Sequence, residues 1–112
     1  MRTTNLLILI GNVGQEPRQV GRTVKLAVAT DRAWTDAGGE RKSATDWVTV
    51  TFFEGRTAEF VRDQVHKGDV VSIQGRIAES SYERDGRTHY GMEVIANQID
   101  LIASRGGASA AA

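Results

Sequence analysis

Aromatic side chains are scarce in this chain, so the position of each one is informative. Only two of its 112 residues are Trp, two are Tyr and three are Phe. Trp47 and Phe53 stand six residues apart at the two ends of a strand-like run, and Trp34 and Tyr82 stand beside charged, glycine-containing segments. An exposed ring can stack on a nucleobase of any type, because every base has a π-face. These four residues are therefore the predicted stacking residues.

Basic residues that could contact phosphates are spread along the chain. The candidates are Arg2, Lys25, Arg41, Lys42, Arg56, Lys67, Arg76, Arg84 and Arg87, with Arg22 and Arg32 in similar settings. The 14 basic residues are balanced by 14 acidic ones, and for any single candidate a solvated mixed-charge surface is the simpler interpretation. Lys25 and Arg76 are favoured because each alternates away from the apolar face of its strand. With zero net charge, stacking would have to supply part of any nucleic-acid affinity.

The hydrophobic pattern predicts the elements that position these residues. The predicted strands lie within 6–10, 24–30, 47–53, 70–77 and 92–102, with a helix over 56–67 that ends at Gly68. The run 6–10 is continuously apolar, which is typical of a buried strand. Gly38-Gly39 and Asp85-Gly86 mark the tips of two extended hairpins. An all-β fold with five strands and one helix between the third and fourth indicates an OB-fold barrel.

Alternation along the third strand gives the stacking hypothesis its geometry. Val48, Val50 and Phe52 point to one face, which can fill the barrel core, whereas Trp47 and Phe53 point to the other. At about 3.4 Å per residue, the backbones of these two aromatics lie roughly 20 Å apart. The alternative is that they cover a second small core or a subunit interface.

Composition also limits the remaining possibilities. The chain has no cysteine, so disulfides and thiolate metal sites are not expected. It shows no secretory leader, and its longest apolar run is too short to cross a membrane, which predicts a cytoplasmic protein. We expect one domain over residues 1–103 and a flexible Gly-, Ala- and Ser-rich tail over 104–112. His66 and His89 belong to no recognisable acid–base or metal-ligand arrangement, so no catalytic residue, metal or cofactor is predicted.

Several segments, in order and with fitting spacing, resemble bacterial single-stranded DNA-binding proteins over residues 3–102. They are 5–17 (NLLILIGNVGQEP), 26–30 with Trp34, 39–42, 45–47, 52–53, 67–71, 73–76 and 82–90. The resemblance implies an OB fold that binds single-stranded DNA during replication, recombination and repair, in the nucleoid. It implies a homotetramer, with a dimer as the alternative, and stacking by Trp34, Trp47 and Phe53. Tyr82 stands where the family often has tryptophan.

The chain also departs from the family pattern. Leu6 and Val48 replace a common lysine and histidine, and the last acidic residue is Asp100, so recruitment of enzymes through an acidic tail is not expected. Two other functions stay open beside DNA binding. One is an OB-fold module that acts through protein contacts, and the other is an enzyme using His66 or His89.

Overall fold

A computed structural model describes residues 1–104 of the chain. Within these residues it forms strands β1 (Leu7–Val13), β2 (Arg18–Val20), β3 (Thr23–Thr35), β4 (Arg41–Phe52), β5 (Val70–Arg84) and β6 (Arg87–Ala103), and helix α1 (Arg56–Gln64). The sheet has the order β1-β5-β6-β4-β3-β2, and pairing of β1 with β3 closes five of the strands into a barrel. The predicted OB fold, with its helix between the third and fourth barrel strands, is confirmed. The predicted tail lies outside the described residues, apart from Ser104.

Alternating side chains fill the barrel interior, as the sequence pattern predicts. In β3 the buried residues are Val24, Leu26 and Val28, and in β4 they include Val50 and Phe52. Helix α1 adds Ala58 and Val61 to the same cluster, followed by Val65 just after its end. Because successive strand residues point to opposite faces, burial of this set leaves the alternate residues of β3 and β4 on the outside.

The sequence predicts a buried strand over residues 6–10, and the structure shows a strand there that is buried on one face only. Leu9 is buried, but Leu6, Ile8 and Ile10 are exposed. Strand β1 pairs with β5 along its length and meets β3 only at Asn12 and Val13. No described element covers the outer face of β1. The continuous apolar run therefore forms a strand whose outer face exposes apolar side chains.

Two further boundaries differ from the predicted ones. The link between the first two predicted strands contains the short strand β2, whose three exposed residues carry no apolar alternation that would reveal it. Helix α1 ends at Gln64, three residues before the predicted end. The amides of residues 66–68 instead donate to the Asp69 carboxylate, the Glu16 carboxylate and the Val13 carbonyl. These acceptors outside the helix replace the helical ones, and Gly68 follows with a positive φ of 96°.

Two hairpins extend from the barrel as arms. Strands β4 and β6 pair only through residues 50–52 and 94–96, so the β3–β4 arm (residues 30–46) and the β5–β6 arm (residues 78–92) diverge from that point. The β5–β6 turn is Asp85-Gly86, with φ of 54° and 74°, a combination typical of a two-residue type I′ hairpin. Both predicted hairpin tips are confirmed.

Candidate nucleic-acid interface

The strand register places Trp47 on the outer face of the sheet, the side away from the core. Trp47 pairs with Ala29 in β3, and Lys25 pairs with Thr51 in β4. Side chains of directly paired residues lie on the same face, so Trp47 and Lys25 share a face opposite to the buried Val50. Trp47 is 60% exposed, and Phe53, which directly follows β4, is 50% exposed. Both aromatics are therefore accessible to a planar ligand.

Small residues surround the Trp47 ring and decide where it lies. Its neighbours on the outer face are Ala29 and Thr49. At the edge of the ring is Gly14, whose amide donates a 2.9 Å hydrogen bond to the Ala27 carbonyl of β3. A Cβ at position 14 would overlap the benzene part of the indole. Gly14 therefore leaves room for the outer edge of the indole against the β1–β2 connection.

Tyr82 lies on the same outer face, on the β5–β6 arm. The ladder between β5 and β6 is regular from Gly75 to Arg84, pairing Ala78 with Glu93 and Tyr82 with His89. Glu93 itself contacts Lys25 and Thr51 on the outer face. Alternation from Glu93 along β6 therefore puts His89, and with it Tyr82, on the face that carries Trp47.

The Tyr82 ring is stacked on His89, with centroids 5.2 Å apart and an interplanar angle of 18°. His89 therefore supports one side of the phenol ring, and the ring remains 56% exposed. The sequence suggests a structural cross-strand role for Tyr90 instead. In the structure Tyr90 does form a cross-strand pair, with Ser81, on the face opposite to Tyr82, and it is 71% exposed.

Trp34 occupies the opposite face of the β3–β4 ladder. It pairs with Lys42, while Ala33 and Thr35 alternate to the Trp47 side. The Arg32 guanidinium lies 4.8 Å from the centroid of the Trp34 ring, and Arg32 also forms a 2.8 Å ion pair with Asp46. One side of the indole is thus covered by a cation. The structure does not bring Trp34 onto the surface that Trp47 and Tyr82 share.

Lys25 is held in a network within the outer face. Its Nζ donates to the Thr51 hydroxyl (2.7 Å) and to Glu93 Oε2 (3.1 Å), and the Thr51 hydroxyl donates to the same Glu93 oxygen at 2.9 Å. The hydrogen bond from Lys25, followed by that from Thr51, lowers the pKa of the Glu93 carboxyl. The Lys25 charge is therefore compensated, and Thr51, on the predicted outward face, is buried beneath the network.

The other predicted phosphate contacts divide by face. Those on the outer face with Trp47 and Tyr82 are Arg41, Arg76, Arg84 and Arg87. Lys42 lies on the Trp34 face and forms a 3.4 Å ion pair with Glu40. Arg56 begins α1, Lys67 lies in the α1–β5 connection and Arg2 precedes β1. Of the nine predicted phosphate contacts, only Lys25 and Lys42 form ion pairs within residues 1–104.

The two histidines, His66 and His89, contact Glu16 and Tyr82 respectively and do not contact each other. His66 Nδ1 lies 3.1 Å from Glu16, and Glu16 also accepts the Lys67 amide at 2.7 Å. That backbone hydrogen bond, more than the His66 contact, lowers the pKa of Glu16. Residues 1–104 contain no group of three or more His, Cys, Asp or Glu that could hold a metal ion.

No helix in this part of the chain is long and apolar enough to cross a membrane.

Sequence reasoning missed three residues that shape this surface. The stacking of His89 on Tyr82 follows from counting outward across the two-residue Asp85-Gly86 turn, so the signal was present in the sequence. The contact of Gly14 with the edge of the Trp47 ring and the pairing of Glu93 with Lys25 depend on contacts between distant strands. No local pattern predicts either of them.

A five-stranded OB barrel with exposed aromatics on one face defines a class of oligonucleotide-binding folds. Residues 4–102 match the Single-strand binding protein family. A "Single-stranded DNA-binding protein 2" of Streptococcus agalactiae is 34% identical over 106 residues, which cover 90% of this chain and 79% of that relative. A "Single-stranded DNA-binding protein" of Neisseria meningitidis is 31% identical over 107 residues, covering 90% and 61%. The chain therefore belongs to the single-strand binding protein family.

Solved structures agree with this assignment. The fold is similar to that in "Plasmodium falciparum SSB complex with ssDNA", with a TM-score of 0.76, 28% identity, and coverage of 91% of this chain and 96% of that one. It is also similar to the wild-type single-stranded DNA-binding protein from Thermus aquaticus, with a TM-score of 0.75 and 29% identity. That alignment covers 95% of this chain and 53% of the Thermus chain.

Proposed function

We propose that this chain binds and protects single-stranded DNA, with little regard to sequence, along the outer face of β4 and the β5–β6 arm. The observation that carries the proposal is the exposure of Trp47, Phe53 and Tyr82 along that side of the barrel. Stacking accepts any base and contributes about 1–3 kcal/mol per base by alanine substitution. Family membership supports the same function, in replication, recombination and repair.

Phosphate contacts complete the proposed path. Arg41, Arg76, Arg84 and Arg87 flank the aromatics on the outer face, where guanidinium groups can pair with phosphate oxygens. The Trp34 ring lies on the other face of the β3–β4 arm. The DNA would therefore reach Trp34 only by crossing the edge of this arm. Lys42 on that same face would contact the strand there, and Arg2, Arg56 and Lys67 are proposed contacts at the margins of the path.

Oligo(dT) titration followed by tryptophan fluorescence tests the proposal, with a duplex of equal length as control. We expect quenching by the single strand and little by the duplex. Tyr82→Ala should weaken binding, whereas Tyr90→Ala should leave it unchanged, because the two tyrosines lie on opposite faces of one arm. Equal effects of the two substitutions would contradict the proposed surface, and equal binding of single strand and duplex would contradict the function.

We further propose that the chain assembles as a homotetramer through β1. The outer face of this strand exposes Ile8 and Ile10, and exposed apolar patches mark protein contacts. Its backbone edge is unpaired over residues 7–11 on the side away from β5, within the described part of the chain. One isologous contact gives a dimer, and a second gives a tetramer with two-fold symmetries. Strand β1 offers two such surfaces, its edge and its apolar face.

The proposed role is binding without catalysis, in the cytoplasm with the nucleoid DNA. The family is one of DNA-binding proteins, and His66 and His89 are engaged by Glu16 and Tyr82 rather than by each other. Incubation of the protein with labelled single-stranded DNA and Mg²⁺ should leave the DNA intact. Metal-dependent cleavage that follows the protein through purification would contradict this part of the proposal.

A further inference from the structure

A cavity of about 250 Å³ lies between helix α1 and strand β6, beside the proposed DNA path. Its lining residues include Phe60, Asn97, Gln98 and Arg56. Phe60 is turned away from the core and is 38% exposed. An aromatic face, two amides and a cation are the groups with which proteins hold an unstacked nucleotide.

An irregularity of β6 creates the amide side of this cavity. Gln74 pairs with Gln98 and Gly75 with Ala96, so Asn97 is an extra residue in the ladder. Such bulges re-aim a side chain and are frequent beside functional sites. No hydrogen bond is found for the Asn97 or Gln98 side chain within residues 1–104. Both amides are therefore available as donors and acceptors.

The cavity lies close in the fold to the end of β4, where Phe53 follows the strand. Phe52 pairs in parallel with Ala96 at the end of the β4–β6 ladder, and the next residues along the two strands are Phe53 and Asn97. Asn97 also lines a second, smaller cavity of about 140 Å³ together with Arg76. Asn97 therefore lines two neighbouring cavities, one of which also contains Arg56 and the other Arg76.

We propose that the α1–β6 cavity is a nucleotide subsite, in which one base leaves the stacked strand and packs against Phe60. The Asn97 and Gln98 amides hydrogen-bond the edge of the base, and Arg56 contacts the adjoining phosphate. Amides pair best with adenine, whose edge offers a neighbouring donor and acceptor, so the subsite gives an otherwise sequence-tolerant surface a local preference. This inference rests on the proposed function, because the base belongs to the same bound strand.

Affinities of four chains for one short oligo(dT) and for the same oligo with a single central adenine test the subsite. Phe60→Leu keeps an apolar side chain but removes the π-face, and should weaken binding of both oligos by about 5- to 150-fold, the range of one stacked base. Asn97→Ala should abolish the preference of the wild type for the adenine oligo. Tyr90→Ala, an exposed aromatic away from the cavity, is the matched control and should behave as wild type.

A direct observation accompanies the affinities. The side-chain NH₂ resonances of Asn97 and Gln98 in ¹H–¹⁵N spectra of the folded wild type should shift when oligo(dT) is added. Wild-type affinity of Phe60→Leu together with unshifted Asn97 and Gln98 amides would overturn the subsite while tryptophan quenching still supported DNA binding. Absence of quenching in the wild type would instead overturn the proposed function, and the subsite with it.

Discussion

The outer faces of β4 and β1 expose apolar side chains to nearly the same extent but in different surroundings. Trp47 is 60% exposed and Ile8 57% exposed. Trp47 is a planar aromatic ring whose edge meets Gly14, on a face that also carries guanidinium groups. Ile8 is a branched aliphatic side chain paired with the uncharged Gln74 on a strand whose edge is open. Exposure alone therefore does not identify a partner, but ring geometry and neighbouring charge distinguish a base-binding face from a protein-binding face.

The largest expected effect comes from removing the aromatic side of this comparison. Trp47→Ala should weaken oligo(dT) binding by about 5- to 150-fold, the loss of one stacked base. The fold should survive because the Trp47 side chain lies outside the buried cluster, and far-UV circular dichroism with a thermal melt checks this. Unfolding of Trp47→Ala would mean that the residue belongs to a packed core.

Removal of the exposed aliphatic side chains of β1 should weaken self-association rather than DNA binding. We expect Ile8→Ser combined with Ile10→Ser to lower the self-association constant at least about tenfold, since burial of each side chain contributes roughly 1.5–3 kcal/mol. Sedimentation velocity over a concentration series measures this. Val20→Ser, at an exposed apolar residue of β2, is the matched control. An unchanged oligomeric state in the β1 variant would contradict the role proposed for this strand.

The absence of a side chain at Gly14 should affect DNA binding only while the Trp47 ring, whose edge meets Gly14, is present. Gly14→Ala should lower DNA affinity by part of the about 1–3 kcal/mol of one stacked base, because the new methyl group overlaps the Trp47 indole. In the Trp47→Ala background the same substitution should have no further effect on affinity. The double-mutant cycle measures this coupling, and additive effects would show that Gly14 does not position the ring.

Salt dependence separates the free cations of the outer face from the compensated one. For single strands, the slope of log K against log salt is about −0.7 per phosphate contact. Arg76→Gln should therefore reduce its magnitude by about 0.7. Lys25→Gln should change it less, because Glu93 already neutralises Lys25. An equal reduction by both substitutions would indicate that DNA displaces Glu93 from Lys25.

The smallest expected effect is the acid sensitivity of that same network. Hydrogen bonds from Lys25 and Thr51 lower the pKa of Glu93 in the folded chain. The resulting stabilisation is fully present above the ordinary glutamate value of about 4.3 and is lost as the pH falls through the lower folded value. Glu93→Gln should therefore flatten the fall in free energy of unfolding between pH 6 and pH 3. Urea denaturation at several pH values measures it, and Lys25→Met should flatten it similarly.

Local patterns predicted most of the fold and the main aromatic residues. Alternation in 24–30 and 47–53 identified the core face of β3 and β4. The turn Asp85-Gly86 identified the β5–β6 hairpin. Both succeeded because strand period and turn chemistry are local properties. The end of α1 and the exposed face of β1 were missed. The former depends on Glu16 and Val13 as distant acceptors, and the latter depends on which strands lie over β1.

The candidate site was predictable residue by residue but not as an arrangement. Trp34, Trp47, Phe53 and Tyr82 were all identified from sequence, and all are exposed. That Trp34 lies on the opposite face from Trp47 follows only from the register of β3 against β4. That Lys25 is compensated depends on Glu93, which is 68 residues away in the chain.

The most direct test isolates Trp47 as the single fluorophore. In a Trp34→Phe chain, Trp47 is the one remaining tryptophan, since the sequence contains two. Titration with oligo(dT), with binding followed in parallel by the anisotropy of a labelled oligo, should show strong quenching that saturates together with binding. Binding without any change in Trp47 emission would contradict the claim that bases stack on the outer face of β4.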